Sequence, residues 1–158
     1  MPLYSMTYIS RAPEVRGEQR RLFLNSIVKQ ADKKNLKTGV SGCLIHVDDF
    51  FIQLMEGPRG PLSETYNRIV NDERHHDINM VHAAPIVTRQ FTSPSLAAFD
   101  IASHSNPVFL RYKVRPEFCP YQIAPHALSD LIDQIAIVCA KLDTTNRRAR
   151  EKATDKAA

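Results

Sequence analysis

"FFIQLMEG", residues 50–57, has the composition of a strand from a protein interior. Side chains alternate across a strand, so Phe51, Gln53 and Met55 share one face while Ile52 and Leu54 share the other. Both faces are apolar, which buries Gln53 whichever way the strand is turned. A buried amide needs partners, because leaving it without them costs about 1–3 kcal/mol.

The neighbours of this strand set its context. "CLIHV", 43–47, reads as a second strand, and Asp48-Asp49 between the two predicts a tight antiparallel hairpin rather than a paired-carboxylate site. "LYSMTYI", 3–9, predicts a first strand with Tyr4, Met6 and Tyr8 on one face. Between them, Leu24, Ile27, Val28 and Ala31 recur at i, i+3, i+4 and i+7, the stripe of a helix over residues 16–35. One more step of four places Asn35 at the end of that stripe. Gly39 and Gly42 then punctuate the way into the next strand. After the turn "GPRGP", Leu62, Tyr66, Ile69 and Val70 predict a second amphipathic helix. "INMVHAAPIVTRQF", 78–91, predicts a fourth strand and a fifth around Pro85, with that proline at a break or an edge.

The resulting order, β-α-β-β-α-β-(β), is an α+β, ferredoxin-like sheet with two helices on one face. Residues 92–125 carry Pro94, Pro107, Pro116, Pro120 and finally Pro125, and read as loops and short helices. "HALSDLIDQIAIVCAKL" predicts a helix lined on one side by Leu128, Leu131, Ile132, Ile135, Val138, Cys139 and Leu142. It is the natural cap for the sheet's other face, or a stripe offered to a partner chain. The expected organisation is one compact domain over 1–100, a helical extension over 101–143 and a charged, flexible tail over 144–158.

Composition bounds the function. A chain of 158 residues with 43% hydrophobic and 24% charged residues has room for one ordinary globular core. No run approaches the ~20 apolar residues of a membrane span, and "MPLYSMTYIS" has no leader pattern. Cys43, Cys119 and Cys139 lack CxxC spacing and fit free thiols in a reducing cytoplasm. Much of the net charge of +4 sits in "DTTNRRAREKATDKAA", where five basic residues face three acidic ones. A solvated end accounts for that tail better than a nucleic-acid arm, since no RNA-binding aromatic signature or phosphate loop accompanies it. In "RHH", 74–76, adjacent histidines point apart, which argues against a metal site. No nucleophile–histidine–acid arrangement is legible.

Tyr8, Gln53 and Asn35 are therefore three polar side chains aimed inward, provided that all lie on the helix-covered face. Two arrangements satisfy them. They can hydrogen-bond one another and nearby backbone, which the pattern alone favours. Or they can meet a planar ligand between the helices, where two amides suit the edge of a heterocycle and the phenol is redox-active.

"TYIS" at 7–10, "KKN…GVSGCL" at 33–44, "FFIQLMEGP" at 50–58, "IVNDERHHD" at 69–77 and "APIVTRQF" at 84–91 together resemble a BLUF domain, a blue-light sensor that uses FAD. The resemblance covers roughly residues 3–100, with the motifs in order. It implies a flavin between the two helices, with Tyr8 as donor of an electron and a proton and Gln53 as the relay between Tyr8 and the flavin edge. It places Asn35 on the carbonyl side of the ring. It further implies Ile27, Ala31, Phe51 and Ile69 as packing contacts, and Arg68, Asp72 and His75 around the far edge and side chain of the cofactor. Many relatives carry Trp and Met where this chain has Pro94 and Leu96, and this chain has no tryptophan. The route of signal output through Leu96 therefore departs from the family pattern.

With only about 58 residues after position 100, the expectation is a photoreceptor with no attached enzyme. The resemblance implies homo-oligomers and a separate effector, such as a cyclic-di-GMP enzyme or a transcription regulator, with no membrane or nucleic-acid partner. Two rival readings are a flavin-free interaction module and a nucleic-acid-binding protein that uses the basic tail.

Overall fold

The computed structural model describes residues 1–112 and 116–157. The expected extension and tail thus include residues 113–115 and 158, which lie outside the described residues. Five strands form one sheet: β1 (Leu3–Arg11), β2 (Ser41–Val47), β3 (Phe50–Pro58), β4 (His76–Ile86) and β5 (Leu96–Ile101). Their spatial order is β4-β1-β3-β2-β5. Pairs within the first four are antiparallel, and β5 lies parallel to β2. Helices α1 (Gly17–Thr38) and α2 (Arg59–Val70) cover one face, and α4 (Pro125–Ala157) lies across the other. A short helix α3 (Pro107–Leu110) sits in the connection between β5 and α4.

The centre is β3, buried from Phe50 to Gly57. Such a strand, apolar on both sides, needs a layer on each face. On the cap side, Ile52 and Leu54 join Ile45, Val47, Phe109, Leu131 and Ile135 in the largest apolar cluster. Each such aliphatic side chain contributes about 1.5–3 kcal/mol when fully buried. The helix side is split into two smaller clusters. One holds Leu24, Leu44, Phe51 and Leu96, the other Tyr8, Val40, Met55 and Leu62. The gap between them is where the candidate site lies.

The expected hairpin at Asp48-Asp49 is present. Asp48 has φ +50°, a left-handed conformation that aspartate tolerates, and its carboxylate accepts from the Ser103 backbone N–H at 3.0 Å and from the Ser103 hydroxyl. Gly39 ends α1 at φ +71°, with its N–H on the Asn35 carbonyl. Gly42 is required for another reason: a Cβ there would lie 2.0 Å from the backbone oxygen of Leu54.

Several expectations need correction. The strand expected over 78–91 is β4, ending at Ile86, and Pro85 lies within it; β4 is an edge strand, where a missing N–H is tolerated. No fifth strand starts near Pro85. The fifth strand is Leu96–Ile101, inside the segment read as loops and short helices; its "LAAFDI" is poor in β-branched residues, and parallel pairing with β2 sets its conformation. The C-terminal helix caps the sheet as expected but continues as helix through Ala157, so the residues expected as a flexible tail extend α4. Of its expected stripe, Val138 and Leu142 are 42% and 45% exposed, Val138 on the flank beside buried Cys139. Val70, in the last turn of α2, is exposed as well.

His46 on β2 is fully buried, and neither ring nitrogen has a partner among the described residues. Burial, with the Arg20 charge adding to it, pushes its pKa down to about 4. The unfolded chain therefore takes up this proton first, and the stabilisation is present above the unfolded value of 6.5 and lost as the pH falls towards 4. Urea midpoints should fall more steeply between pH 6.5 and 4 in the native sequence than in His46→Leu. Equal slopes would show that His46 titrates alike in both states.

Candidate functional site

A cavity of about 200 Å³ opens between α1, α2 and the helix side of the sheet. Tyr8, Ile27, Ala31, Asn35, Phe51, Gln53, Arg68, Ile69, Asp72, His75 and Leu96 all line it. Eleven residues singled out across nearly ninety positions of sequence thus converge on one space.

Strand register makes the central pair. Tyr8 on β1 lies directly opposite Gln53 on β3, and Leu44 on β2 opposes Gln53 from the other side. Directly opposed side chains share a face and stand close together. The Tyr8 hydroxyl donates to Gln53 Oε1, and both residues are buried, at 2% and 7% exposed. Burial is the main reason that the Tyr8 phenol is held far above its usual pKa; the Asp72 charge adds to this and Arg74 opposes it. The phenol keeps its proton and gives it to the Gln53 carbonyl oxygen in a hydrogen bond, and the Gln53 NH₂ end has no partner among the described residues.

Asn35 comes from the last turns of α1 and is 5% exposed. Its side-chain amide has no partner among the described residues, and it borders the same cavity. Tyr8, Gln53 and Asn35 therefore do not satisfy one another as a closed set: one pair is joined, and two amide ends face the cavity. Ile27 and Ala31 from α1 and Ile69 from α2 supply apolar walls, so the space is a slot with hydrogen-bonding groups along its floor. These open amide ends and flanking apolar walls fit a flat heterocycle that offers both acceptors and donors at its edge.

The far end is polar. The turn after α2 carries Asp72 and Arg74, joined by a salt bridge at 2.5 Å, and Arg74 holds the Asp72 carboxyl below its usual range. Arg68 is tethered to the Thr65 hydroxyl at 2.9 Å. His75 is less available than its sequence position suggests. Its Nε2 lies 2.7 Å from the Ile69 carbonyl, which can only accept, and Nδ1 lies 2.9 Å from the Ser10 hydroxyl. With both nitrogens used, His75 presents only its ring, edge-on to Tyr8 and Phe51 at 5.8 and 6.2 Å between centroids. Among the described residues no group of three or more His, Cys, Asp and Glu could hold a metal ion.

The cavity also takes in Gln30, Lys34, Leu44, Met55, Thr65 and Arg74, none of them singled out from sequence as lining it. Gln30 and Lys34 each precede a predicted wall residue by one position, a helical neighbourhood that would have drawn attention to them.

A family model described as "BLUF: Sensors of blue-light using FAD" matches residues 3–97. Photoactivated adenylate cyclase subunit beta of Euglena gracilis is 37% identical over 91 residues, which are 58% of this chain and 10% of the relative. The alpha subunit from the same organism is 38% identical over 92 residues, 58% of this chain and 9% of the relative. The chain thus spans about 10% of the length of these curated relatives. Among solved structures, the dark state of BlrB, a BLUF protein, superposes with a TM-score of 0.63 at 27% identity, covering 85% of this chain and 96% of that one. Photo-activated BlsA gives a TM-score of 0.71 at 22% identity, covering 85% and 95%, a likeness of fold.

The burial of Tyr8 has a direct consequence. In an alkaline titration followed by tyrosinate absorbance, Tyr8 should stay silent until the protein unfolds. Tyr8→Phe should leave the folded part of the curve unchanged and shrink only the unfolding step; a loss from the folded part would contradict the assigned burial.

Proposed function

The chain belongs to the BLUF family of blue-light sensors, whose cofactor is FAD, and we propose that it is a photoreceptor in which Tyr8 and Gln53 are the photochemical switch. The observation that supports this most is the pairing of a buried, protonated phenol with an amide whose other end opens into the slot. Ile27, Ala31, Phe51 and Ile69 would sandwich the ring, Asn35 would bind its polar edge, and Arg68, Asp72 and the ring of His75 would border the rest of the cofactor. Bound FAD supplies the light absorption and, once excited, the oxidising power to which Tyr8 is the donor.

Tyr8 releases an electron together with its phenolic proton. Gln53 Oε1 is already in hydrogen-bond reach of that proton, so the transfer needs no prior rearrangement. An amide has unlike ends. When charge returns to Tyr8, Gln53 can settle with donor and acceptor exchanged at the slot, by rotation or by tautomerisation. The changed hydrogen bonds then bias a second element.

Leu96 is the proposed start of the output. It is buried, lines the slot and begins β5, and its N–H is held by Asp32 of α1 at 2.9 Å. The preceding Ser95 donates no signal chemistry of its own, but its carbonyl accepts from Gly42 N–H and its hydroxyl meets Arg147 of α4. A shift at Leu96 would reach α4 through this clamp and change what α4 binds. The proposed partners are a second copy of this chain and a separate effector in the cytoplasm, such as a cyclic-di-GMP enzyme or a transcription regulator. The segments 1–100, 101–143 and 144–158 would then be sensor, extension and the exposed end of the output helix. No described helix is long and apolar enough to cross a membrane. The open amide ends of Gln53 and Asn35 offer a flat ligand hydrogen bonds that a flavin-free module would leave to water.

Purified protein should be yellow, or become so with added FAD, and blue light should shift its absorption reversibly to the red by a small amount. Gln53→Leu and Tyr8→Phe should each abolish that shift while keeping the flavin. A protein that takes up no flavin would remove the photoreceptor reading, and a normal photocycle in both variants would remove the assigned switch.

A further inference from the structure

The sheet face opposite the proposed flavin slot carries a second cleft, of about 360 Å³, between the sheet and the early turns of α4. Ser5 and Thr7 of β1 and Glu56 of β3 line it beside Leu54, and Ile132 and Asp133 close it from α4. Ser5 and Thr7 are 8% and 1% exposed, and neither hydroxyl has a hydrogen-bond partner among the described residues. These are two successive inward positions of an interior strand, where apolar side chains are the rule, and their hydroxyls border the cleft. Glu56 is buried as well. Its carboxylate accepts the N–H groups of Gln90 and Phe91 at 3.0–3.1 Å, and Oε1 takes only one of these, which leaves it acceptor capacity.

The balance of the cleft is acidic and acceptor-rich. Glu56 and Asp133 are its carboxylates, and His82 at the rim is the one basic side chain among its lining residues. Leu54 and Ile132 add hydrocarbon between the polar groups. Among the described residues no cluster suits a metal ion. The requirement is for a ligand that is positively charged, rich in N–H donors and partly hydrocarbon.

We propose that this cleft is a second ligand site, for a small alkylammonium. Asp133 and Glu56 meet its charge, the Ser5 and Thr7 hydroxyls accept its N–H groups, and its hydrocarbon lies on Leu54 and Ile132. The site is separate from light sensing in its chemistry but adjacent to it in the chain. Thr7 precedes Tyr8, and Glu56 follows Gln53 by three residues, so occupancy would tie α4 to the two strands that carry the switch.

The flavin-loaded full chain, kept in the dark, would be titrated calorimetrically with 1,4-diaminobutane and, as an uncharged probe of equal length, with 1,4-butanediol. The diamine should bind saturably at one site and the diol should not. Asp133 is exposed at the cleft margin, so Asp133→Asn should keep the fold while weakening the diamine about tenfold. Thr7→Val should weaken it as well. No saturable binding up to about 10 mM diamine, equal binding of the diol, or unchanged affinity in Asp133→Asn would each overturn the site. None of these outcomes depends on the photocycle.

Discussion

The hydrogen bond from Tyr8 to Gln53 depends on a register. β1 and β3 pair antiparallel so that these two residues stand directly opposite each other at the centre of the sheet. A slip of one residue would send each side chain to the opposite face. The surrounding layers hold the register: β3 is apolar on both sides, and packing on each face penalises any slip. The same burial keeps Tyr8 protonated. Its hydroxyl donates to Gln53 Oε1, so packing holds together the two groups that the proposed photochemistry uses.

The two faces of the sheet have opposite tasks. The cap face holds the largest apolar cluster, built from β3, β5, α3 and α4, with Phe109 and Phe118 in edge-to-face contact at 5.1 Å. The helix face is packed in two clusters with a slot between them. The large cluster on the cap face supports the central strand, while the divided face provides a cavity without loss of the central register. Arg89 strengthens the connection at the end of β3. It donates to the Gly39 and Glu56 carbonyls and to the Ser41 hydroxyl, so the segment leading towards β5 is held against the sheet.

Much of this arrangement is legible in the residues themselves. Period-2 alternation in "FFIQLMEG" and period-3.6 spacing from Leu24 to Asn35 place Gln53 and Asn35 inward without any coordinates. Their partners are less visible. Whether Asn35 closes on Gln53 or faces a ligand depends on a separation that periodicity does not encode, and the open amide ends appear only once α1 is docked. His75 is similar: its position in "RHHD" suggests a polar contact, but the Ile69 carbonyl and Ser10 hydroxyl occupy its nitrogens. β5 is illegible because "LAAFDI" has weak intrinsic preference and owes its conformation to pairing with β2, more than fifty residues away. The continuation of α4 past Leu142 has no apolar stripe to announce it, and its contact with the sheet side is a polar one, Arg147 to the Ser95 hydroxyl.

The central claim is that the Gln53 amide is the element that light rearranges, and that Tyr8 is what makes it do so. The most direct measurement is the side-chain ¹⁵N–H₂ signal of Gln53, assigned by comparison with Gln53→Leu, in flavin-loaded protein before and during blue illumination. The account predicts a reversible change of that signal in the native sequence and none in Tyr8→Phe. A Gln53 signal that is identical in dark and light, or one that changes equally without the Tyr8 hydroxyl, would contradict it.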